Sequence, residues 1–366
     1  MRTRVLAAEG DGAAADVAGL AVAERTRRAL ARAGFTPSTG AAPAESILLV
    51  AGDAAIDPRA LEALAAARAD GAGVMAADNS IDAPAALVVP AADAAAAGAA
   101  KADELGAVAA RLRSQGRLLL APTAGALCQR VRSTADARRI ERAMLAALAQ
   151  PTDGLFARYF DRKISSRLSP RLVRLGVRPN TITLLATLVG LAGAAALAAP
   201  VHALQVAGAL LFVVSTILDG CDGEVARLSL TSSEFGRRLD LLGDNVVNAA
   251  VFVAIGWSAL SAGAGHVTAS LVWITLGGFA LATIAGVSFS RWIDRTGRKA
   301  ELHDRYESLA SRDFAYVVLL LAVLGRLHWF VWFAAIGSYA FVALLVAVRA
   351  RAARAPAVPI GEGELT

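Results

Sequence analysis

Residues Asp219–Asp244 read DGCDGEVARLSLTSSEFGRRLDLLGD, and the rest of the chain is understood from this stretch outward. It holds four aspartates, Asp219, Asp222, Asp240 and Asp244, with long apolar runs on both sides. On a helix, Asp219, Asp222, Gly223, Ala226 and Arg227 stand at offsets 0, 3, 4, 7 and 8 and so share one face. Gly236, Asp240 and Asp244 are four apart and share a face of a second helix. Two carboxylates from each of two facing helices make an oxygen-rich cage suited to hard divalent cations. Gly223 and Ala226 keep the first face low enough for a ligand backbone to lie on it, and Arg227 adds a charge suited to phosphate. A solvated loop with ordinary charges is the plain alternative. It is disfavoured because acidic residues at the edge of membrane helices are costly and mark function.

The apolar runs set the class of protein. The chain has 366 residues, 56% of them hydrophobic, and a mean hydropathy of +0.52, high for a soluble protein. The first 150 residues are Ala-rich but broken by charges, whereas beyond Asn180 the runs are long enough to span a bilayer. A formal charge of +6 raises the question of nucleic acid. The basic residues instead cluster in loops between apolar runs, which points to an anionic membrane face and no nucleic-acid partner. Two cysteines, Cys128 and Cys221, imply no disulfide framework. The four histidines are scattered and form no metal pair, and Met1–Gly34 lacks the apolar core of a cleavable signal peptide.

The spacing DxxDGxxAR, eight residues, then GxxxDxxxD resembles the signature of the CDP-alcohol phosphotransferases and matches it at every fixed position. The resemblance implies a CDP-linked donor, an alcohol acceptor, release of CMP, and Mg²⁺ or Mn²⁺, two ions at the site. Asp219, Asp222 and Asp240 are then chiefly metal ligands. Asp244 shares a metal while acting as general base on the acceptor hydroxyl. Gly223, Ala226 and Arg227, with Asp222 and more weakly Ser233, bind the CDP moiety. The motif PNTIT at Pro179–Thr183 opens the first span; Asn180 reads either as a helix cap or, with Thr183, as a cytidine contact.

Residues 1–150 read as a cytosolic α/β domain. Strands are expected at Arg4–Ala8, Ile47–Ala51, Gly73–Ala77, Ala86–Val89 and Arg117–Ala121, with helices at Val22–Ala33 and Pro58–Ala67. The pieces GLAVAERTRRALARAGF and ILLVAGDAAIDPRALEAL resemble sugar-nucleotide-type nucleotidyltransferases, with Asp53 at their metal position. The resemblance fails where those enzymes need a basic Gly-rich loop, since the chain here reads AAEGDGAAADVAG, and Arg132 stands where an Asp is expected. The domain is read as degenerate and inactive, in preference to a working cytidylyltransferase.

Gln150–Gly154 is the hinge, and residues 151–178 carry a basic amphipathic segment with Ile164, Leu168, Leu172 and Leu175 on its apolar stripe. It is expected in the headgroup plane, broken at Ser169-Pro170 into two short helices with Ser169 as cap. The order of PTDG, RKIS and PN resembles two-domain enzymes joining an inositol-phosphate cytidylyltransferase to a di-inositol-phosphate phosphate synthase. Residues 179–350 form the membrane domain, with six spans near 181–199, 203–220, 237–260, 267–290, 313–326 and 329–349. The fifth is short and is expected to begin near Leu309, and 351–366 reads as a disordered tail. The loops with Arg227, Arg237 and Arg238, with Arg291 to Arg312, and with Arg349 to Arg354 all fall on one side. Both termini and the aspartates therefore face the cytosol of an inner-membrane protein.

Arg312 reads either as an acceptor-phosphate ligand or as a positive-inside anchor. The acceptor class is open, with a polyol phosphate such as inositol phosphate favoured, and the donor is a lipid or a polyol. The partners expected besides these are membrane lipids and a second copy in a homodimer. Two other classes compete: a six-helix transporter or channel with an acidic membrane site, and a catalytically inactive scaffold. Against the first, all four aspartates sit at the end of their spans and not at the midplane. The intact motif weighs against the second.

Overall fold

The computed structural model describes residues 2–6, 15–35, 46–67, 71–77, 79–93, 101–123, 125–148, 160–263, 266–296 and 314–354. The nucleotide-loop segment up to Ala14, the hinge at 150–154, Arg312, the expected start of the fifth span near Leu309 and the tail beyond 354 lie outside them. The chain forms two compact units. One comprises Met1–Leu148, Ser166–Arg178 and Gly223–Ser232; the other comprises Ala149–Ser165, Pro179–Asp222 and Ser233–Thr366.

The first unit is built on a five-stranded sheet of β1 (Arg2–Leu6), β4 (Ser46–Ala51), β6 (Gly73–Ala76), β7 (Ala86–Pro90) and β8 (Leu118–Ala121), in the order β1-β4-β7-β6-β8. The outer pairs β1–β4 and β6–β8 are parallel, while β7 runs antiparallel to both of its neighbours. These are the five expected strands, each within two residues of its expected ends. Four of them are legible as short apolar runs, the inner ones buried on both faces, whereas β1 reads RTRVL and is apolar only at Val5 and Leu6. Helices α1 (Val22–Arg32), α2 (Pro58–Ala66), α3 (Leu105–Ser114) and α4 (Thr134–Ala147) accompany the sheet. Asp57 caps α2 by accepting from the Arg59 amide at 2.9 Å, with Pro58 at the first helical position.

Two small ribbons complete this unit, the hairpin of β2 (Asp16–Val17) with β3 (Leu20–Ala21) and the pair β5 (Ala54–Ile56) with β9 (Cys128–Arg130). The hairpin turns through Ala18 and Gly19, both at positive φ, with Asp16 accepting from the Gly19 amide at 2.7 Å. A side chain on Gly19 would also be driven to 2.1 Å from the Pro170 carbonyl, so glycine is required there twice over.

Helix α5 (Arg162–Arg174) corrects the expectation of a break at Ser169-Pro170. It is continuous, with Pro170 inside it. Ser169 is not a cap: it is fully buried, and its hydroxyl bonds the Glu224 carboxylate at 2.6 Å. That buried charge-assisted bond, with the ring of Pro170 also buried, outweighs the one ladder bond that proline removes. The helix buries Ser165, Ser169 and Val173, leaves Ile164 exposed and keeps Leu168 and Leu172 half-buried, and Leu175 just beyond it is exposed.

The second unit is a helical bundle. Helices α6 (Pro179–Ala198), α7 (His202–Leu228), α8 (Glu234–Ser261), α9 (Ala269–Thr296) and α11 (Trp329–Arg354) are long and apolar enough to cross a membrane; α10 (Phe314–Val323) is apolar but has only 10 residues. Only 22–39% of each apolar window is buried within the protein. Trp257, Trp273 and Ile336 are among the large side chains left facing outward, as lipid requires. The helices approach closely through small residues. A side chain on Gly190 would meet Val247 at 2.6 Å, one on Gly243 would meet Thr187 at 2.6 Å, and Gly193 and Gly208 face each other's carbonyls. A core of Phe212, Phe252, Phe314 and Phe330, with Phe252 edge-on to Phe330 at 5.2 Å, fills the space between α7, α8, α10 and α11. His266 and His328, far apart in sequence, meet edge-to-face with ring centroids 4.7 Å apart.

Candidate active site

The motif aspartates lie on helices, as the spacing requires. Asp219 and Asp222 are one turn apart on α7, Asp240 and Asp244 one turn apart on α8, and α6 packs against α8 through Gly243 and Gly190. Asp219, Asp222 and Asp240 bring carboxylate oxygens within 4.8 Å of one another. Asp219 and Asp222 are buried and Asp240 half-buried. The donor set is carboxylate alone, which fits a hard divalent cation such as Mg²⁺ or Mn²⁺ and not the nitrogen and sulfur preference of zinc. The fourth aspartate, Asp244, is not one of this trio. It lines an adjoining cleft together with Asp219.

Thr183 is buried on α6, where its hydroxyl bonds Asp222 Oδ2 and also reaches the Pro179 carbonyl at 3.2 Å. It thus fixes the rotamer of one carboxylate of the trio, an arrangement typical of groups that orient a metal ligand. Asn180 is not the helix cap, because Pro179 takes the first helical position and Asn180 the second. Its side-chain oxygen lies where a Cβ on Gly236 would come within 3.0 Å, so Gly236 leaves room for it. Ser233 caps α8, accepting from the Gly236 amide at 3.0 Å.

In the first unit, Gly223, Ala226 and Arg227 occupy the last two turns of α7. The Arg227 side chain folds back over Gly223: a Cβ there would meet its Nη1 at 3.3 Å. Arg227 is exposed and Gly223 half-buried.

The cleft adds residues that the motif reading passed over. Besides Asp219 and Asp244 it is lined by Thr187, Ser215, Thr216 and Asn248, with Phe314 among its apolar walls. A signal for them was present. Ser215 precedes Asp219 by four, Asn248 follows Asp244 by four and Thr187 follows Thr183 by four, so each continues a motif face by one turn.

The described residues also explain Asp53 of the N-terminal region. Both its oxygens are taken by Arg130, through Nε and Nη2 at 2.8 Å each, with the two side chains 2% and 4% exposed. Arg130 also reaches Asp103 at 2.8 Å. Burial alone would lower the guanidinium's pKa, but the bonds to Asp53 and Asp103 hold it above its ordinary value.

A bundle of helices long and apolar enough to cross a membrane, with two buried aspartates and one half-buried aspartate converging from two neighbouring helices, suggests a membrane protein with carboxylates that could hold a hard cation. Comparison with known proteins is more particular. Residues 177–338 match the family model described as CDP-alcohol phosphatidyltransferase. It is similar to proteins named bifunctional IPC transferase and DIPP synthase from Archaeoglobus fulgidus, at 41% identity over 132 residues, 36% of this chain and 26% of that one. The protein of that name from Rubrobacter xylanophilus is 34% identical over 214 residues, 58% of this chain and 46% of that one. A phosphatidylinositol phosphate synthase from Mycobacteroides abscessus is 31% identical over 106 residues, 29% and 47% of the two chains. The chain thus spans less than half the length of each of these curated relatives in the matched regions.

Proposed function

We propose that this protein transfers a phosphate-linked alcohol group from a CDP-alcohol to a hydroxyl of a second alcohol, releasing CMP, in a reaction that depends on divalent metal. The observation that carries the reading is the convergence of Asp219, Asp222 and Asp240 within 4.8 Å, in a domain that matches the CDP-alcohol phosphatidyltransferase model. When bound, the cations would neutralise the donor's pyrophosphate and activate its phosphorus. Asp219, Asp222 and Asp240 would hold them, and Thr183 would keep Asp222 in place. Gly223 and Ala226 leave room for the donor, Arg227 pairs with its phosphates, and Asn180 with Ser233 borders the same end of α8. Asp244 takes the proton of the acceptor hydroxyl as its oxygen forms the new bond to phosphorus and the bond to the departing CMP oxygen breaks. The cleft beside Asp244 suits a hydroxyl-rich acceptor, because Thr187, Ser215, Thr216 and Asn248 offer it polar groups. A polyol phosphate such as inositol phosphate is the acceptor class we favour, and the name of the Mycobacteroides relative supports it. Arg312 is the proposed ligand for the acceptor's phosphate.

On this reading the membrane domain covers residues 179–350 with six spans, α10 being the described part of the fifth. The distribution of Arg and Lys among the loops supports a cytosolic site in the inner membrane, and a homodimer is the assembly proposed. Residues 1–150 are a nucleotidyltransferase-like domain without metal catalysis, because a buried guanidinium occupies both oxygens of Asp53. The test is incubation of the purified protein with a panel of CDP-alcohols and polyol phosphates in Mg²⁺, with CMP and the product read by mass. A lipid product and a water-soluble one separate the two donor classes. Absence of CMP from every donor would refute the reading.

A further inference from the structure

The C-terminal end of α7 carries Gly223, Ala226 and Arg227, and it terminates in an unusual way. The Thr231 amide donates to the Ala226 carbonyl at 2.9 Å, and the Leu230 amide donates to the Arg227 carbonyl at 3.2 Å. This is the two-bond helix stop in which the residue after the cap adopts a left-handed conformation, a place that favours glycine. Here it is Leu230, with φ at +56°. A leucine carries strain at that position which a glycine would not. The reason for leucine lies in its side chain, which packs against the hydrophobic core of the N-terminal sheet.

Three further contacts hold the same end. Arg28 on α1 donates from Nη1 to the Ser229 carbonyl at 2.9 Å, supplying a cation where the helix dipole is negative. Glu24 aims that arginine, accepting from its Nε at 2.6 Å. The Ser169–Glu224 bond grips the helix next to Gly223, and α5 is itself tied back by Arg174 to Asp16 at 2.9 Å and by the close approach at Gly19. All of these residues belong to the first compact unit.

We propose that the N-terminal α/β region is a holder for the end of the motif helix, with Leu230 and Arg28 as positioning residues that set Ala226 and Arg227 for the donor. The functional half rests on the reading of the site as a CDP-alcohol site; the holding itself does not. It gives a domain that lacks metal chemistry at Asp53 a role in the reaction. Leu230 exchanges local backbone ease for attachment to that domain, and the two carbonyls that close the helix stop are those of the proposed donor-binding residues.

The test uses the full chain in nanodiscs, comparing wild type with Leu230→Gly, Leu230→Ala, Arg28→Ala and Arg28→Lys. Hydrogen exchange over residues 226–232 reads the helix stop, and KM for the CDP donor against kcat reads positioning. If only the local stop mattered, glycine would exchange as slowly as leucine or more slowly. We expect Leu230→Gly to exchange faster than wild type, and Leu230→Ala faster again by roughly five- to thirtyfold, because alanine keeps the strain and loses the attachment. KM for the donor should rise roughly two- to thirtyfold in both, with kcat changing much less. Arg28→Ala should act in the same direction, with Arg28→Lys recovering part of the loss. Glycine exchange no faster than wild type overturns the holding. Faster exchange with unchanged KM overturns the positioning. A wild type that yields no CMP from any donor refutes the proposed reaction instead, and the exchange arm still decides whether the helix end is held. If Leu230→Ala does not fold, Leu230→Gly and Arg28→Ala carry the same decision.

Discussion

Replacing Asp240 by Asn separates a metal site from a merely acidic cluster, because the two predict opposite signs without metal and with it. In the trio, oxygens of Asp219, Asp222 and Asp240 lie within 4.8 Å. At that separation, and at an effective dielectric constant of about 20, two unit charges repel by about 3.5 kcal/mol. Asp240 takes part in two of the three pairs, so Asp240→Asn relieves about 7 kcal/mol at that outer separation, and neighbouring cations and salt reduce it to a few. The metal-free variant should therefore be more stable than metal-free wild type. Saturating cation stabilises wild type by about 2.7 kcal/mol at a hundredfold excess over Kd, which is roughly 5–10 °C in Tm for a unit of this size. Asp240→Asn should show little of that rise. The assay is thermal unfolding in detergent, followed by tryptophan fluorescence, in EDTA and then across a Mg²⁺ titration at constant ionic strength. A wild-type Tm unmoved by Mg²⁺, or a variant that responds as wild type does, would refute the assignment of these carboxylates as ligands.

Other outcomes follow from the same geometry. Asp219→Asn should abolish CMP release, and EDTA should do so reversibly, read by mass on a CDP-alcohol panel. Asp244→Asn should cut turnover while leaving much of the donor affinity, whereas Asp222→Asn should weaken donor binding together with metal affinity; paired calorimetry and turnover check this, and equal losses of binding would make Asp244 a ligand. Arg130→Met should destabilise the N-terminal domain by about 3–5 kcal/mol by leaving the buried Asp53 charge unpaired, and Asp53→Asn in the same chain should recover much of the loss, both read by denaturant unfolding. For Asp136, burial raises the carboxyl pKa, but the Ser133 hydroxyl, the Arg132 amide and Arg139 outweigh it and hold the group below its ordinary value. Its contribution is therefore present above the unfolded pKa and is lost as pH falls through the folded one. Asp136→Asn should flatten the acid limb of the stability profile below about pH 4.

What the sequence made legible was what local chemistry decides. Four of the five strands of the sheet are short apolar runs, and the long helices are apolar runs of bilayer length. The motif aspartates fall on faces set by the helical period alone. The cleft residues Ser215, Asn248 and Thr187 were legible in principle, one turn beyond Asp219, Asp244 and Thr183. A motif read only at its fixed positions stops one turn short of them. The ribbon of β5 and β9 was not legible. It joins segments more than 70 residues apart, and each strand has only three residues. The fate of Asp53 depends on that pairing, because Ala54 lies opposite Arg130 and the aspartate is thereby brought to the guanidinium.

Two places where residue type and observed backbone disagree share a cause. Ser-Pro at 169–170 spells a helix start and Leu at 230 spells anything but a left-handed turn, so each residue type argues against its observed backbone. In both, a buried tertiary contact supplies the difference: the bond from Ser169 to Glu224, and the packing of Leu230 on the sheet's core. Both contacts fall on the same ten residues, Gly223–Ser232, which stay with the α/β unit although the helix begins in the other. A left-handed leucine costs about 1–2 kcal/mol, while fully burying a leucine side chain returns about 1.5–3 kcal/mol and the partly buried Leu230 a share of that. The conformation is therefore favoured only while the N-terminal core is there to receive the side chain. In both places local preference is overruled by contacts made within the first unit.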